Sequence, residues 1–170
     1  MEKDKLNRFV ESWGIMGSVW GMNTSTARVH ALLIATDEPL SLDNIAKRLS
    51  ISRGNASMCL KELRNWGVIK QVKEPGDRKD YYVTEPDIWK MFFAIARERK
   101  KREFDPAVEA IREVLPYSDK RSKSSAGARL QQMEEFLTTL DRIAERFLEN
   151  EEAARSVLSF LSGSSGADGS

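Results

Sequence analysis

The 170-residue chain has a single cysteine, Cys59, and a single histidine, His30. One thiol excludes an internal disulfide and fits a reducing cytoplasm. One histidine with no second ligand cannot build a transition-metal site, so a structural role is expected for it. No apolar run is long enough to cross a bilayer. Met1-Glu2-Lys3-Asp4-Lys5 lacks the apolar core of a secretory signal. The chain also has no Gly-rich phosphate loop, no nucleophile with a histidine base and no spaced carboxylate set. Neither enzyme chemistry nor a cofactor is expected. Net charge is scarce too, +1 from 27 basic and 26 acidic residues, which by itself argues against a polyanionic partner.

That neutrality is the sum of two unlike stretches. Between Ser41 and Asp80, nine Lys or Arg stand against five Asp or Glu, whereas Gln131 to Glu152 carries seven acids against Arg142 and Arg146. Attraction between charges follows the local patch more than the total.

The basic stretch also has an order. Ser41 is placed to cap a helix in which Leu42, Ile45, Ala46 and Leu49 share one face. Ser50-Ile51 makes a turn with Ile51 as its apolar plug. Ser52 caps a second helix whose inner side is Ala56, Leu60 and Leu63. Gly67, after Trp66, suits the left-handed conformation that closes helices. Val68–Lys73 and Tyr81–Thr84 are rich in the β-branched and aromatic residues of strands, and Pro75-Gly76-Asp77 turns between them. Helix, turn, helix and hairpin in that order spell a winged helix-turn-helix. The fold expected is mainly α with a small two-stranded wing, flanked by N- and C-terminal dimerisation helices.

A polar, basic face behind an apolar one suits a helix that enters the major groove of DNA. The expected contact set is Ser52, Arg53, Gly54, Asn55, Ser57, Met58, Lys61 and Arg64, with Arg78 and Lys79 at the wing tip. Asn55 and Met58 would read base edges, Lys61 and Arg64 would meet phosphates, and the tip would reach a minor groove or its flanking phosphates. Gly54 would leave room for close approach. Asp77 is expected to brace the wing through a nearby basic side chain, and Lys70 and Lys73 are read as strand-surface charge.

Around this centre the periodicity predicts helices. Leu6, Phe9, Trp13, Met16 and Trp20 form an aromatic stripe over roughly residues 3–20, weakened by Gly14, Gly17 and Gly21. Thr24 to Thr36 is a helix packed through Val29, Leu32 and Leu33. Pro86-Asp87 opens another, which Asp105-Pro106 kinks or restarts. Residues 116–127 read as a polar linker. Ala126, Leu130, Met133, Leu137, Leu140, Ala144 and Phe147 then step by four and three, a short heptad seam. The expected domains are 1–22, an N-terminal helix for dimer or effector contacts; 23–85, the winged domain; 86–162, a helical dimerisation region; and 163–170, a disordered Gly/Ser-rich tail.

Ser52-Arg53-Gly54-Asn55-Ala56-Ser57-Met58, Leu63-Arg64-Asn65-Trp66-Gly67-Val68 and Pro75-Gly76-Asp77-Arg78-Lys79-Asp80-Tyr81-Tyr82 resemble the GbsR branch of the MarR-type repressors. So do Phe9-Val10-Glu11-Ser12-Trp13-Gly14 and the run Arg97 to Glu103. The likeness spans residues 5–103 and is looser beyond. It implies a homodimeric regulator of transcription, in the cytoplasm, with one winged helix per subunit. Some members of that branch sense choline and control glycine-betaine supply, a ligand that no motif here specifies.

Trp13, Trp20, Trp89, Phe92 and Phe93 are candidates for a small-effector pocket, since aromatic faces attract quaternary amines. Aromatics at helical spacing are more often a hydrophobic core, and that reading is preferred for each of them singly. Cys59, beside Leu60, is read as inert packing rather than a redox switch. The rival function is a winged helix that binds protein instead of DNA. Such a module would expose an apolar recognition face, unlike the basic one written here.

Overall fold

Glycine, not the aromatic stripe, joins the first two helices. The computed structural model describes residues 3–19, 21–114 and 125–163. Helix α1 (Lys3–Val19) lies against α2 (Thr24–Ile34). A Cβ built on Gly17 would stand 2.5 Å from Ala27 Cβ, and one on Gly14 would stand 2.8 Å from Arg28 Cγ. The residues that weaken α1 by propensity are therefore the ones that let the two backbones approach. Val10 is buried on that same side. Leu6, Phe9, Trp13 and Met16 are only half-buried, and Trp20 lies outside the described residues.

Helix α2 is the centre of the first unit. Thr26, Ala27, Val29, His30, Ala31, Leu32 and Leu33 are all buried, as befits a helix surrounded by other elements. Helices α3 (Leu42–Leu49) and α4 (Arg53–Asn65) pack beside it. Both begin on the expected serine caps: Ser41 Oγ accepts from the Asn44 N–H at 3.3 Å and Ser52 Oγ from the Asn55 N–H at 3.1 Å. Between them Ser50 adopts φ 53°, and the Ile51 N–H donates back to the Ala46 carbonyl at 3.0 Å. This left-handed closure turns the chain sharply enough to seat α4 across α3. Gly67 (φ 72°) closes α4 in the same way, with the Val68 N–H on the Leu63 carbonyl at 3.2 Å.

The sheet has one strand more than expected. Strands β1 (Leu40–Ser41), β2 (Ile69–Lys73) and β3 (Asp80–Thr84) run antiparallel in the order β1-β3-β2. Leu40 pairs with Tyr82 and Ser41 with Tyr81. Two residues are too few to show an alternation, so β1 is invisible to pattern reading even though both its residues are buried. Helix α5 (Ile88–Arg99) then starts on Asp87, whose Oδ1 accepts from the Trp89 N–H at 2.8 Å and the Lys90 N–H at 3.2 Å.

The chain divides after Ala94 into two compact units. In the second, the helix continues as a π-helical segment, Lys100–Phe104, into α6 (Asp105–Val114). The Asp105 N–H donates to the Lys100 carbonyl, a wider turn placed immediately before Pro106, which has no N–H to give. Asp105-Pro106 is thus a change of helical register, not a break. Helix α7 (Ser125–Glu149) takes in Ser125 to Gly127, which the sequence assigned to a linker; residues 115–124 lie outside the described set. Helix α8 (Glu151–Leu161) begins on Asn150, whose Oδ1 accepts from the Ala153 N–H at 3.0 Å. The expected tail falls almost wholly outside the described residues. Among those described, no helix is long and apolar enough to cross a membrane.

Candidate nucleic-acid interface

The apolar side of α4, Ala56, Leu60 and Leu63, is fully buried against the first unit, which leaves Arg53, Ser57, Met58, Lys61 and Arg64 exposed. Gly54 faces open space, where an added Cβ would meet only Ser52 Oγ at 4.0 Å. Nothing among the described residues needs a glycine there, while a close external surface would. Met58 is 74% exposed in the middle of this face.

Salt bridges sort the basic residues. Arg53 pairs with Asp43 at 2.5 Å, Lys70 with Glu85 at 2.7 Å and Lys73 with Asp80 at 2.5 Å. Lys70 and Lys73 are thereby neutralised on the strands. The Arg53 pair is open to water on both sides and contributes about 0–1 kcal/mol, so a phosphate can displace Asp43 at little cost. Arg64 donates to Gln71 Oε1 at 2.5 Å, tying the end of α4 to β2. Among the described residues Lys61, Arg78 and Lys79 make no ion pair, and neither do Lys47 and Arg48 in the last turn of α3. That last pair belongs to the basic stretch but not to the expected contact set, and both side chains are exposed.

The wing tip is braced, though not as expected. The Gly76 backbone is left-handed (φ 82°), and the Asp77 N–H closes the turn on the Glu74 carbonyl at 3.1 Å. Among the described residues no basic side chain forms an ion pair with Asp77. Its carboxylate accepts from the Lys79 N–H at 2.9 Å and from the Tyr81 hydroxyl at 2.8 Å. Those two donors, the backbone N–H first, hold its pKa below the usual carboxylate value, and the carboxylate, by accepting the phenol proton, in turn pushes the Tyr81 phenol up. The Lys73 ammonium also donates to the Arg78 carbonyl at 3.3 Å. The hairpin thus presents Arg78 and Lys79 outward on a stiffened turn.

One expected reader is not on this face. Asn55 is half-buried, its Nδ2 donating to Ser25 Oγ at 3.4 Å and its Oδ1 lying 3.5 Å from the Cys59 Sγ that donates to it. The amide that was to meet a base edge is turned toward α2. Cys59 is itself buried, and burial raises its thiol above the ordinary value, which keeps it protonated and unreactive at neutral pH.

The aromatic candidates fall into two groups. Trp13 lies 5.6 Å from Phe9 and 6.2 Å, edge-on, from His30. Trp89 stacks on Phe93 at 6.3 Å and meets Phe92 edge-on at 6.2 Å. Phe93 is completely buried, so it packs rather than offers a face to a ligand. His30 is buried as well, with no hydrogen-bond partner on either ring nitrogen among the described residues; burial lowers its pKa to about 4. The second unit holds a cleft of about 480 Å³ lined by charge instead of rings, including Lys100, Asp105, Arg112, Asp141 and Glu145. Lys100 reaches Asp105 at 2.6 Å and Asp141 at 2.9 Å there. No group of three or more metal-binding side chains is gathered among the described residues.

Capped helices in tandem, a left-handed turn between them and a braced basic hairpin define a winged helix-turn-helix. The comparisons agree with that class. The IclR helix-turn-helix domain matches residues 23–73. Over 102 residues the chain is 26% identical to YvaV, an HTH-type protein of Bacillus subtilis (strain 168), a match spanning 56% of this chain and 58% of that one. It is 28% identical over 95 residues to the HTH-type transcriptional repressor GbsR of the same organism, covering 56% and 52%. The HTH-type transcriptional repressor OpcR matches at 25% over 76 residues, covering 45% and 41%. The chain therefore spans about half the length of the curated relatives it matches. A crystal structure of a transcriptional regulator superposes with a TM-score of 0.56 at 24% identity, over 85% of this chain and 96% of that one. That likeness carries the fold alone.

Proposed function

We propose that this protein is a sequence-specific, DNA-binding regulator of transcription, acting in the cytoplasm as a homodimeric repressor of the MarR-like, GbsR-type kind. One observation carries the reading. The exposed side of α4 is basic and acid-poor, has room at Gly54, and stands beside a wing that offers two cations with no ion pair among the described residues. An interface for protein would favour a broad apolar face at that place, whereas a lone exposed Met58 suits contact with a thymine methyl.

Ser52, Arg53, Gly54, Ser57, Met58, Lys61 and Arg64 form the groove-facing set in this reading, with Arg78 and Lys79 beside the groove. Lys47 and Arg48 add phosphate contacts. The unpartnered apolar residues of α7 and α8, among them Phe136 and Phe160, support self-association through the C-terminal helices, with the half-buried stripe of α1 contributing. The helical segments after the wing would be the dimerisation region and the winged domain the reader. A twofold dimer places its two recognition helices about one DNA turn, ~34 Å, apart, so the operator would be an inverted repeat. A small cationic effector belongs to the same reading, with Trp13, Trp89 and Phe92 as its aromatic contacts.

Titrating random duplex DNA at 50 and 200 mM salt tests the core of this. Binding that weakens by orders of magnitude between them is expected of a protein that neutralises several phosphates. Salt-independent binding, or none, would favour the protein-binding module.

A further inference from the structure

Three polar side chains of α4 form a line beside its apolar face: Asn55, Cys59 and Glu62, at i, i+4 and i+7. All three are buried or half-buried, and they meet the first turn of α2. The Thr26 hydroxyl, 1% exposed, donates to Glu62 Oε2 at 2.7 Å. The Asn55 amide donates to Ser25 Oγ and receives the Cys59 thiol. Ser25 is fixed in turn, because its own N–H donates at 2.9 Å to Asn23 Oδ1, the cap of α2. The seam therefore holds the reading helix near its N-terminus and again two turns later, always to the same end of α2.

Apolar packing by Ala56, Leu60 and Leu63 keeps α4 on the domain but does little to set its rotation, since such contacts are not directional. Hydrogen bonds between buried groups are directional and costly to leave unmade. Fixing register is the best-attested use of polar groups in a core. The rotation of α4 decides which side chains reach the groove floor, and a small error there is an error in base reading.

From these contacts, and resting on the DNA-binding reading, we infer that Asn55 is a positioning residue. Together with Ser25 it sets the angle at which α4 presents Ser57, Met58 and Lys61 to DNA, and it does not itself read a base.

The two roles separate through Ser25, which sits on another helix. Ser25→Ala, Asn55→Ala and the double variant are titrated against a duplex that the wild-type protein enriches from a random library, and against a scrambled duplex of the same composition. Both single variants should lower the enriched-over-scrambled affinity ratio by a similar factor, roughly tenfold, and the double variant should lower it no further, because the two groups act as one unit. The salt slope should stay at its wild-type value, since no phosphate contact is lost. In the free protein, Ser25→Ala should also shift the NMR resonances of the Asn55 side-chain amide. Asn55→Ala lowering the ratio while Ser25→Ala leaves it unchanged would overturn the inference and make Asn55 a base reader. Equal losses on both duplexes would overturn it as well, as general damage to the domain. An unmoved Asn55 amide in the free protein would remove the contact itself, whatever the DNA result. A wild-type protein that enriches no duplex would sink the DNA-binding reading, an outcome distinct from all of these.

Discussion

The two units finish their cores to very different degrees. In the first, α2 is buried along most of its length, with α1, α3, α4 and β3 packed against it. In the second, Val108 and Ala154 are the buried apolar side chains among the described residues. Helix α7 runs for 25 residues without burying one, and leaves Phe136 60% and Ile143 58% exposed. The first unit has the interior of a domain that folds by itself. The second has amphipathic helices whose apolar sides ask for further cover, and it holds itself through ion pairs such as Lys100–Asp141 and Arg97–Glu151. On the proposed function this difference is expected, since a reader needs a fixed shape before it meets DNA, while an association surface is completed only by its partner.

The contrast is broken most severely in the core of the first unit. Leu60→Ala should lower stability by about 2–5 kcal/mol, measured by urea unfolding. A loss below about 1 kcal/mol would mean that the reading domain leans on something outside itself. The exposed side chains of α7 should tolerate the same truncation in a monomer.

Acid should act on the first unit before the second. Folded, His30 stays neutral down to about 4, whereas the unfolded side chain takes a proton below its ordinary value of 6.5. The unfolded chain thus binds more protons between those values, so this stability is intact above pH 6.5 and is lost as pH falls toward 4. The loss is on the order of 3 kcal/mol across the window. Lys100 holds the Asp141 carboxyl below the usual carboxylate value, so its contribution persists until lower pH. Thermal melts from pH 7 to 4.5 should show the decline, and His30→Leu should flatten it. An unchanged slope in that variant would place the pH-sensitive group elsewhere.

Charge placed on the apolar side of α7 tests the other half of the comparison. Ile143→Asp should raise the dimer dissociation constant at least tenfold, read by sedimentation equilibrium, because a carboxylate would be desolvated in the interface. An unaltered association state would mean that this face is covered otherwise. The smallest effect belongs to the wing. Arg78→Ala should weaken binding several-fold, alike on matched and scrambled duplexes, and reduce the salt slope by about one. No change at physiological salt would mean that the tip stands clear of DNA.

Much of the reading domain was legible because its signals are local. A capping serine, a left-handed glycine and an apolar spacing each act within a turn or two of chain, so α3, α4, the bend and the hairpin could be placed from residues alone. Strand β1 could not, since two residues carry no period. The glycine contact of α1 with α2 was hidden for a related reason: Gly14 and Gly17 look like weakness until the opposing Ala27 and Arg28 are seen. The turn of the Asn55 amide toward α2 was missed although a signal existed. A helix turns about 100° per residue, which puts Asn55 roughly 160° from Ser57 and about 40° from Cys59. It belongs angularly with the inward polar line rather than the outward basic one.

The sequence by itself determined the order of elements, their caps and turns, and the basic character of the reading stretch, because these follow from backbone preferences and from charge counted along the chain. Only the tertiary structure decided which cations were already spent on Asp43, Glu85 and Asp80, which partner braces Asp77, and which way Asn55 turns. Those outcomes depend on groups from 2 to 30 residues apart arriving within about 3 Å of each other, a distance over which hydrogen bonds and ion pairs are won or lost and about which spacing in the chain is silent.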